Sequence, residues 1–356
     1  MSALVLTLTN IVYQTSRYGL STLFALGILG SILNIILFSR KQLRQISCCT
    51  CMYNNFKHLF EKKNTSILDF LAASCANIVS LSWGIIPTLY SLNNVYPGSY
   101  SLAFCKIQGY LTHTSLQMTR VFLVLACFDR FALSSTNAYL RQFSQVKVAH
   151  RSISITVICC LLIAIHLAIY LNLVPGGCGL TNTIASIYNS LYTMLTVSIL
   201  IPVSMFVLSI LTFYHLKQRQ NQRRRMQQQR STNQEITRDQ KIFFVLMMQL
   251  SLYFISTVLY APAFIYGLAT ANVIKSFERQ IIESFIGGLS VTLIYLYPAL
   301  SFFAFTLASK SFRLELRKLL RITMSYRLQR IRIEPEYLQN TTNKTNITTN
   351  RPLPTF

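Results

Sequence analysis

ITVICCLLIAIHLAIYLNLV, residues Ile155–Val174, is twenty residues without a Lys, Arg, Asp or Glu. As a helix it would rise about 30 Å, the thickness of a bilayer's hydrocarbon core. Similar runs lie on both sides of it. Together they give seven candidate spans: Tyr18–Ser39, Ile67–Leu89, Lys106–Leu133, Ile153–Val174, Ile184–Phe213, Ile242–Gly267 and Ile282–Leu307. Their lengths suit tilted helices, and the short alternating segments of a membrane β-barrel are absent. The second run is the weakest, because Asp69 and Asn77 interrupt it.

Composition points the same way. Apolar residues make up 52% of the 356-residue chain and charged residues 12%, with a mean hydropathy of +0.42. A soluble domain carries about twice that charged fraction. The 33 Lys and Arg exceed the 10 Asp and Glu, a formal charge of +23. Nucleic acid is excluded as the partner behind this charge, since a DNA-binding face does not come with so apolar a chain. With 23 Phe and 19 Tyr, most of the sequence is not disordered either. The fold class expected is an all-α membrane protein, a seven-transmembrane helix bundle spanning residues 18–308.

Basic residues orient the bundle. The segments after spans one, three and five and the C-terminal tail hold 28 of the 33 Lys and Arg, counting Arg130 with the second of these. That bias expects a short extracellular N-terminus at 1–17, without a cleaved signal peptide, and a cytoplasmic C-terminus. The cysteines test it independently. Cys48, Cys49 and Cys51 fall in the first cytoplasmic loop, and Cys75, Cys127, Cys159 and Cys160 within spans. Only Cys105 and Cys178 reach the oxidising side, where a disulfide persists. Their pairing would tie the outer end of span three to the loop before span five.

Cys105 stands 25 residues before Arg130 in LVLACFDRF. A cysteine opening the third of seven spans and Asp-Arg-aromatic closing it resemble the rhodopsin-like G-protein-coupled receptors, as a divergent member. Gly30–Asn34 resembles that family's first-span Gly-Asn region, and Leu71–Cys75 its second-span motif, with Cys75 in place of aspartate. Pro202 and Pro262 match the hinge prolines of spans five and six. In span seven, aligning Pro298 to the family's proline makes Tyr297 the asparagine position. Counting back from Phe312 makes it Ser301, the register preferred here, because the turn into the next helix is short. SKSFRLELRKLL then resembles the family's amphipathic eighth helix, at 309–322 on the inner leaflet, with a polar tail at 323–356.

The resemblance implies a plasma-membrane receptor that turns binding of an extracellular ligand into activation of a heterotrimeric G protein through Asp129 and Arg130. With Cys75 and Ser301 at the motif positions, the usual sodium pocket is not expected. The aromatic before the sixth-span proline is Tyr260, and Asp239 stands near the start of span six. Thr112 occupies the amine receptors' aspartate position and span seven has no Lys, which argues against monoamines and retinal. His113, Gln117, Tyr188, Tyr192, Tyr260, Phe264, Tyr266 and Tyr295 would line the outer half of the bundle with Thr112. That lining suits a peptide or a small neutral molecule, although for any single residue ordinary helix packing serves as well.

Arg120 fits no motif. It lies ten residues before Arg130, about 15 Å deeper along a helix, where a charge is costly. A structural hydrogen-bond role, a part in switching with Pro202, Pro262 and Pro298, and snorkelling to lipid all remain open. Asn77 and the polar edges of spans four and five are its candidate partners, while Asp69 lies too near the cytoplasmic end.

The basic, glutamine-rich stretch KQRQNQRRRMQQQRSTNQ would extend spans five and six and attract anionic inner-leaflet lipids. Arg40–Ser66 is long for a first cytoplasmic loop and reads as an insertion or a gene-model error. The sequons at Asn64, Asn340, Asn343 and Asn346 all fall on the expected cytoplasmic side. Five scattered histidines and no phosphate-binding glycine loop give no enzyme, cofactor or metal signature. His166 reads as a packed polar contact. The rivals to a receptor are a small-solute transporter or channel, with Arg120 as an anion site, and a receptor-like protein that no longer signals.

Overall fold

The structure, a computed structural model, describes residues 3–39, 65–135, 137–174, 177–226, 232–270, 273–309 and 312–321. Met1–Ser309 forms one compact unit and Lys310–Phe356 a second. The expected long first loop lies outside the described residues apart from its last two. The tail from 323 lies wholly outside them.

The described residues of the first unit are almost entirely helical. Helix α1 (Ala3–Gln14) runs through a π turn at Thr15–Gly19 into α2 (Leu20–Ser39). Helices α3 (Thr65–Tyr90) and α4 (Leu102–Ser134) follow, then the short α5 (Ala138–Gln142) and the stacked pair α6 (Val146–Ile163) and α7 (Ile165–Tyr170). A hairpin of β1 (Leu171–Val174) and β2 (Gly177–Leu180) leads to α8 (Thr183–Thr193). A second π turn at Met194–Leu200 joins α8 to α9 (Ile201–Met226). The remainder is α10 (Thr232–Thr257), α11 (Tyr260–Ala269), α12 (Phe277–Ile294) and α13 (Leu296–Ala308). In the second unit, residues 312–321 are helical, where the amphipathic helix is expected, and Lys318 pairs with Glu315 at 2.7 Å.

Packing closes these helices into a ring. Helix α2 contacts α3 and α13, α3 contacts α4, α4 contacts α9, and α9 and α13 both contact α10. The α6–α7 pair lies outside this ring against α3 and α4. Close approach depends on absent side chains, as is usual where helices pack without water. A Cβ on Gly30 would stand 2.8 Å from that of Phe302, and one on Gly84 would stand 2.1 Å from the Tyr295 hydroxyl.

Polarity runs inward. Ser31, Asn34, Asn77, Gln117, Arg120 and Gln249 are buried, whereas Ile155, Ile158, Leu162, Phe206 and Leu307 are exposed. Water favours the opposite arrangement; lipid tolerates apolar residues outside and leaves polar ones to find partners within. Among the described residues, five helical stretches are long and apolar enough to cross a membrane: Leu6–Ser39, Ile67–Tyr90, Val146–Tyr170, Thr183–Gln218 and Phe277–Ala308. These features suggest a membrane-embedded, all-α chain.

Several expectations are amended. Of the seven apolar runs, the third and sixth are helical but fall outside those five stretches. The third carries Lys106, Arg120, Asp129 and Arg130 within the 33-residue α4. The sixth breaks between α10 and α11, at Val258–Leu259, instead of continuing to Gly267. The fourth ends as a helix at Tyr170, because Leu171–Val174 pairs antiparallel with Gly177–Leu180. The N-terminal segment is helical from Ala3, and α1 packs on α12.

Candidate functional site

The expected disulfide is present: Cys105 and Cys178 are bonded, with Cα atoms 5.6 Å apart. Ser101 caps the start of α4 through the Phe104 amide, which fixes Cys105 in the first turn. On the other side, the register pairs Cys178 with Leu173. Cys105 is buried against Leu167 and Leu171, so the hairpin is packed onto the head of α4 as well as bonded to it. Nearby, the Tyr96 hydroxyl donates to Gln108, and burial pushes the Tyr96 phenol above its ordinary pKa despite that bond.

Deeper in α4, Arg120 is almost fully buried, 5% exposed, so snorkelling is ruled out of its geometry. Its Nη1 donates to Gln117 Oε1 at 2.8 Å, one turn earlier. Gln117 Nε2 in turn donates to the Tyr192 hydroxyl at 2.9 Å and Thr196 Oγ1 at 3.1 Å. This fixes the amide's orientation, oxygen toward the cation and nitrogen toward two hydroxyls. Arg120 makes no ion pair and no other hydrogen bond among the described residues. Of the expected partners, the edge of span five is engaged indirectly, through Gln117. Asn77 is not: its Oδ1 accepts from Thr119 Oγ1 at 2.9 Å and its Nδ2 reaches Ser301 Oγ at 3.5 Å.

That network also locates the inward polar position of α3. Cys75 is exposed on the outer surface of the helix, and Asn77 faces Thr119 and Ser301. The residue meeting α4 and α13 is therefore Asn77 rather than Cys75.

The candidate ligand residues divide into two groups. His113 lies 5.8 Å from the Tyr192 ring and 6.4 Å from that of His166, and Tyr188 stacks on Tyr192 at 6.0 Å. Gln117 joins this group through Tyr192, and Thr112 one residue before His113 has a buried hydroxyl without a partner. Tyr260 and Tyr295 belong elsewhere, in an apolar cluster with Leu20, Leu81, Ile85, Leu116 and Ile294. The side chain of Phe264, like that of Asp239, lies outside the described ones. Tyr266 is half-exposed and bonded to Glu283 at 2.9 Å. Glu283 also pairs with Lys275 and Arg279, which ties α11 to the start of α12.

His166 joins the first group from outside the expected set. Its Nδ1 is 2.9 Å from the Ile163 carbonyl and its Nε2 is 3.2 Å from the Asn189 amide. A neutral ring satisfies both if Nδ1–H donates to the carbonyl and the Asn189 amide donates to Nε2. That is a packed polar contact between α7 and α8, as its sequence context suggests.

The helices around this core are interrupted near their prolines, and at two of the interruptions a side chain from a neighbouring helix bonds the backbone. Pro202 has no N–H, and in the five-residue register of the π turn before it, that N–H would have served the Val197 carbonyl. The Tyr253 hydroxyl of α10 takes its place at 2.8 Å. At the break before α11, the Leu259 carbonyl accepts both from the Ala263 amide and from Ser290 Oγ of α12, each at 3.2 Å. Pro298 is buried near the start of α13, just beyond the break at Tyr295. Two of these irregular stretches are thus cross-linked to a neighbouring helix.

At the far end of α4, Asp129 is buried and accepts a hydrogen bond from Ser144. Buried Asp69 of α3 lies within the field of Asp129 and Arg130, the end of the bundle expected for it. Tyr253, Thr196 and Glu283 contribute to these networks and were not singled out by sequence, while Asn77 was named there only as a candidate partner of Arg120. Neither protein-family models nor curated proteins give a match to this chain.

Proposed function

We propose that the chain is a seven-helix receptor of the plasma membrane, with α4 as its third span and an extracellular ligand that activates a heterotrimeric G protein. The observation that carries this reading is the layout of one helix. Cys105 is tied to the hairpin at the head of α4, and Asp129–Arg130 lies 25 residues on, about 37 Å along the axis. A bilayer fits between them. The first end faces outside, where disulfides persist, and the second faces the cytoplasm and its anionic lipids.

The His113–His166–Tyr188–Tyr192 group supports a ligand site in the outer half, next to Gln117, so that a ligand touching Tyr192 also touches the partner of Arg120. The opening at Pro202 bonded by Tyr253 and the α10–α11 break bonded by Ser290 are the places where α10 and α11 would shift. An agonist favours the open state only to the extent that it binds it better.

The test is G-protein activation in cells, without and with a ligand library, comparing wild type and Arg130→Ala at matched surface expression. Activation lost in the variant supports the reading; equal activation by both overturns the role of Arg130. The buried cation in mid-bundle favours one rival, an anion carrier, which predicts halide flux in vesicles containing the protein.

A further inference from the structure

A cavity of about 10 Å³ sits between α4, α10, α12 and α13, lined by Leu116, Thr119, Arg120, Tyr253, Ser256, Thr257, Ile294, Tyr297 and Pro298. Two of these side chains bring donors without acceptors. Arg120 spends one N–H on Gln117, and its other donors have no acceptor among the described residues. Tyr297, 5% exposed, makes no hydrogen bond among them. Among the described residues no carboxylate lines the cavity.

The guanidinium carries a formal positive charge that a counter-charge would offset. Gln117 offers an oxygen dipole and no charge. We propose that the cavity is a binding site for a monatomic anion, chloride in the cell, held by Arg120 and the Tyr297 hydroxyl; the Ser256 and Thr257 hydroxyls of the lining donate to the Tyr253 carbonyl at 2.7 and 2.9 Å and are not needed to hold it. The cavity takes about one sphere of atomic dimensions, which suits a halide ion. Because its donors come from α4 and α13, the ion links these two helices by contacts the protein alone does not make. The proposal requires only the cavity and its two donors, not the receptor reading.

The experiment uses the purified full chain in lipid nanodiscs. Unfolding temperature is followed while sodium chloride replaces sodium gluconate at constant ionic strength. Wild type is expected to show a saturable rise of about 5 °C, with bromide acting likewise and gluconate inert. Arg120→Gln should abolish the rise, and Tyr297→Phe should move its midpoint to about tenfold higher chloride. A flat wild-type titration, or one that never saturates, overturns the site. So does an equal rise in Arg120→Gln. Should Arg120→Gln fail to fold, Tyr297→Phe decides, and an unmoved midpoint counts against the proposal. Chloride binding without vesicle flux separates this site from a carrier.

Discussion

Removing the Cys105–Cys178 bond tests how far the hairpin depends on it. The two cysteines are 73 residues apart in sequence, and opening that loop costs about 4.5 kcal/mol in the chain-entropy treatment. That figure takes a fully unfolded chain as reference. If helices on both sides stay inserted in lipid, most of the loop closure is already made, and the loss falls to about 2 kcal/mol. The Cys105→Ala/Cys178→Ala pair avoids placing polar atoms at a position that is fully buried. The readout is already in the chain: Trp83 is its only tryptophan, and it packs 6.2 Å from Phe104, the residue before Cys105. Followed by Trp83 emission, the double variant should unfold about 3–6 °C below wild type, and wild type in reductant should match it. An unchanged midpoint would mean that the packing of Leu167 and Leu171 on Cys105 holds the hairpin unaided.

Other perturbations follow from single contacts. Tyr253→Phe leaves the Val197 carbonyl without its donor and should cost about 1 kcal/mol in unfolding free energy; no loss would mean that the helix itself satisfies that carbonyl. Gly84→Ala places a Cβ 2.1 Å from the Tyr295 hydroxyl and 2.6 Å from its Cζ, so about 2 kcal/mol of overpacking is expected, and Tyr295→Phe in the same chain should return only part of it. Gln117→Leu deprives Arg120 of its one acceptor and should destabilise by about 3 kcal/mol, whereas Gln117→Glu supplies a carboxylate at the same place. In chloride-free buffer Gln117→Glu should unfold above wild type and lose the response to chloride; a full response would separate the halide from Arg120.

Some of this was open to inspection in the sequence, because compartments and membrane thickness constrain it directly. Cys105 and Cys178 were identified by asking which cysteines can meet an oxidant, a question that needs no side-chain geometry. Arg120 stood out because one charge in an apolar run is visible at any helix rotation. What needed rotation was lost. Cys75 and Asn77 are two residues apart, which is about 200° around a helix, so choosing one as the inward residue turns the other toward lipid. The end of span four failed for another reason: Leu171–Val174 is too short for periodicity to separate a strand from a last helical turn. Pairing with Gly177–Leu180 decides it. Tyr253 could not be matched to Val197 because the π turn at Met194–Leu200 shifts the register by which a freed carbonyl would be sought.

The networks differ in what they leave over. Asn77, Thr119 and Ser301 are neutral groups that complete one another's hydrogen bonds across α3, α4 and α13. One residue along α4, Arg120 projects into a different sector, about 100° away, where only dipoles meet it. A chain selected for packing alone would place Leu or Ile there, since a buried guanidinium without a counter-charge is less stable than an apolar residue of similar size. Its retention is accounted for if the charge has work that an apolar residue cannot do. Gln117 connects Arg120 to Tyr192, and Tyr192 to His113 and Tyr188, so whatever displaces those rings changes the field over the cavity. On the other side the cavity is walled by Tyr253, which holds α10 to the open carbonyl of Val197. An anion bound between these two side chains would therefore respond to both, and its occupancy would register the separation of α4 from α10.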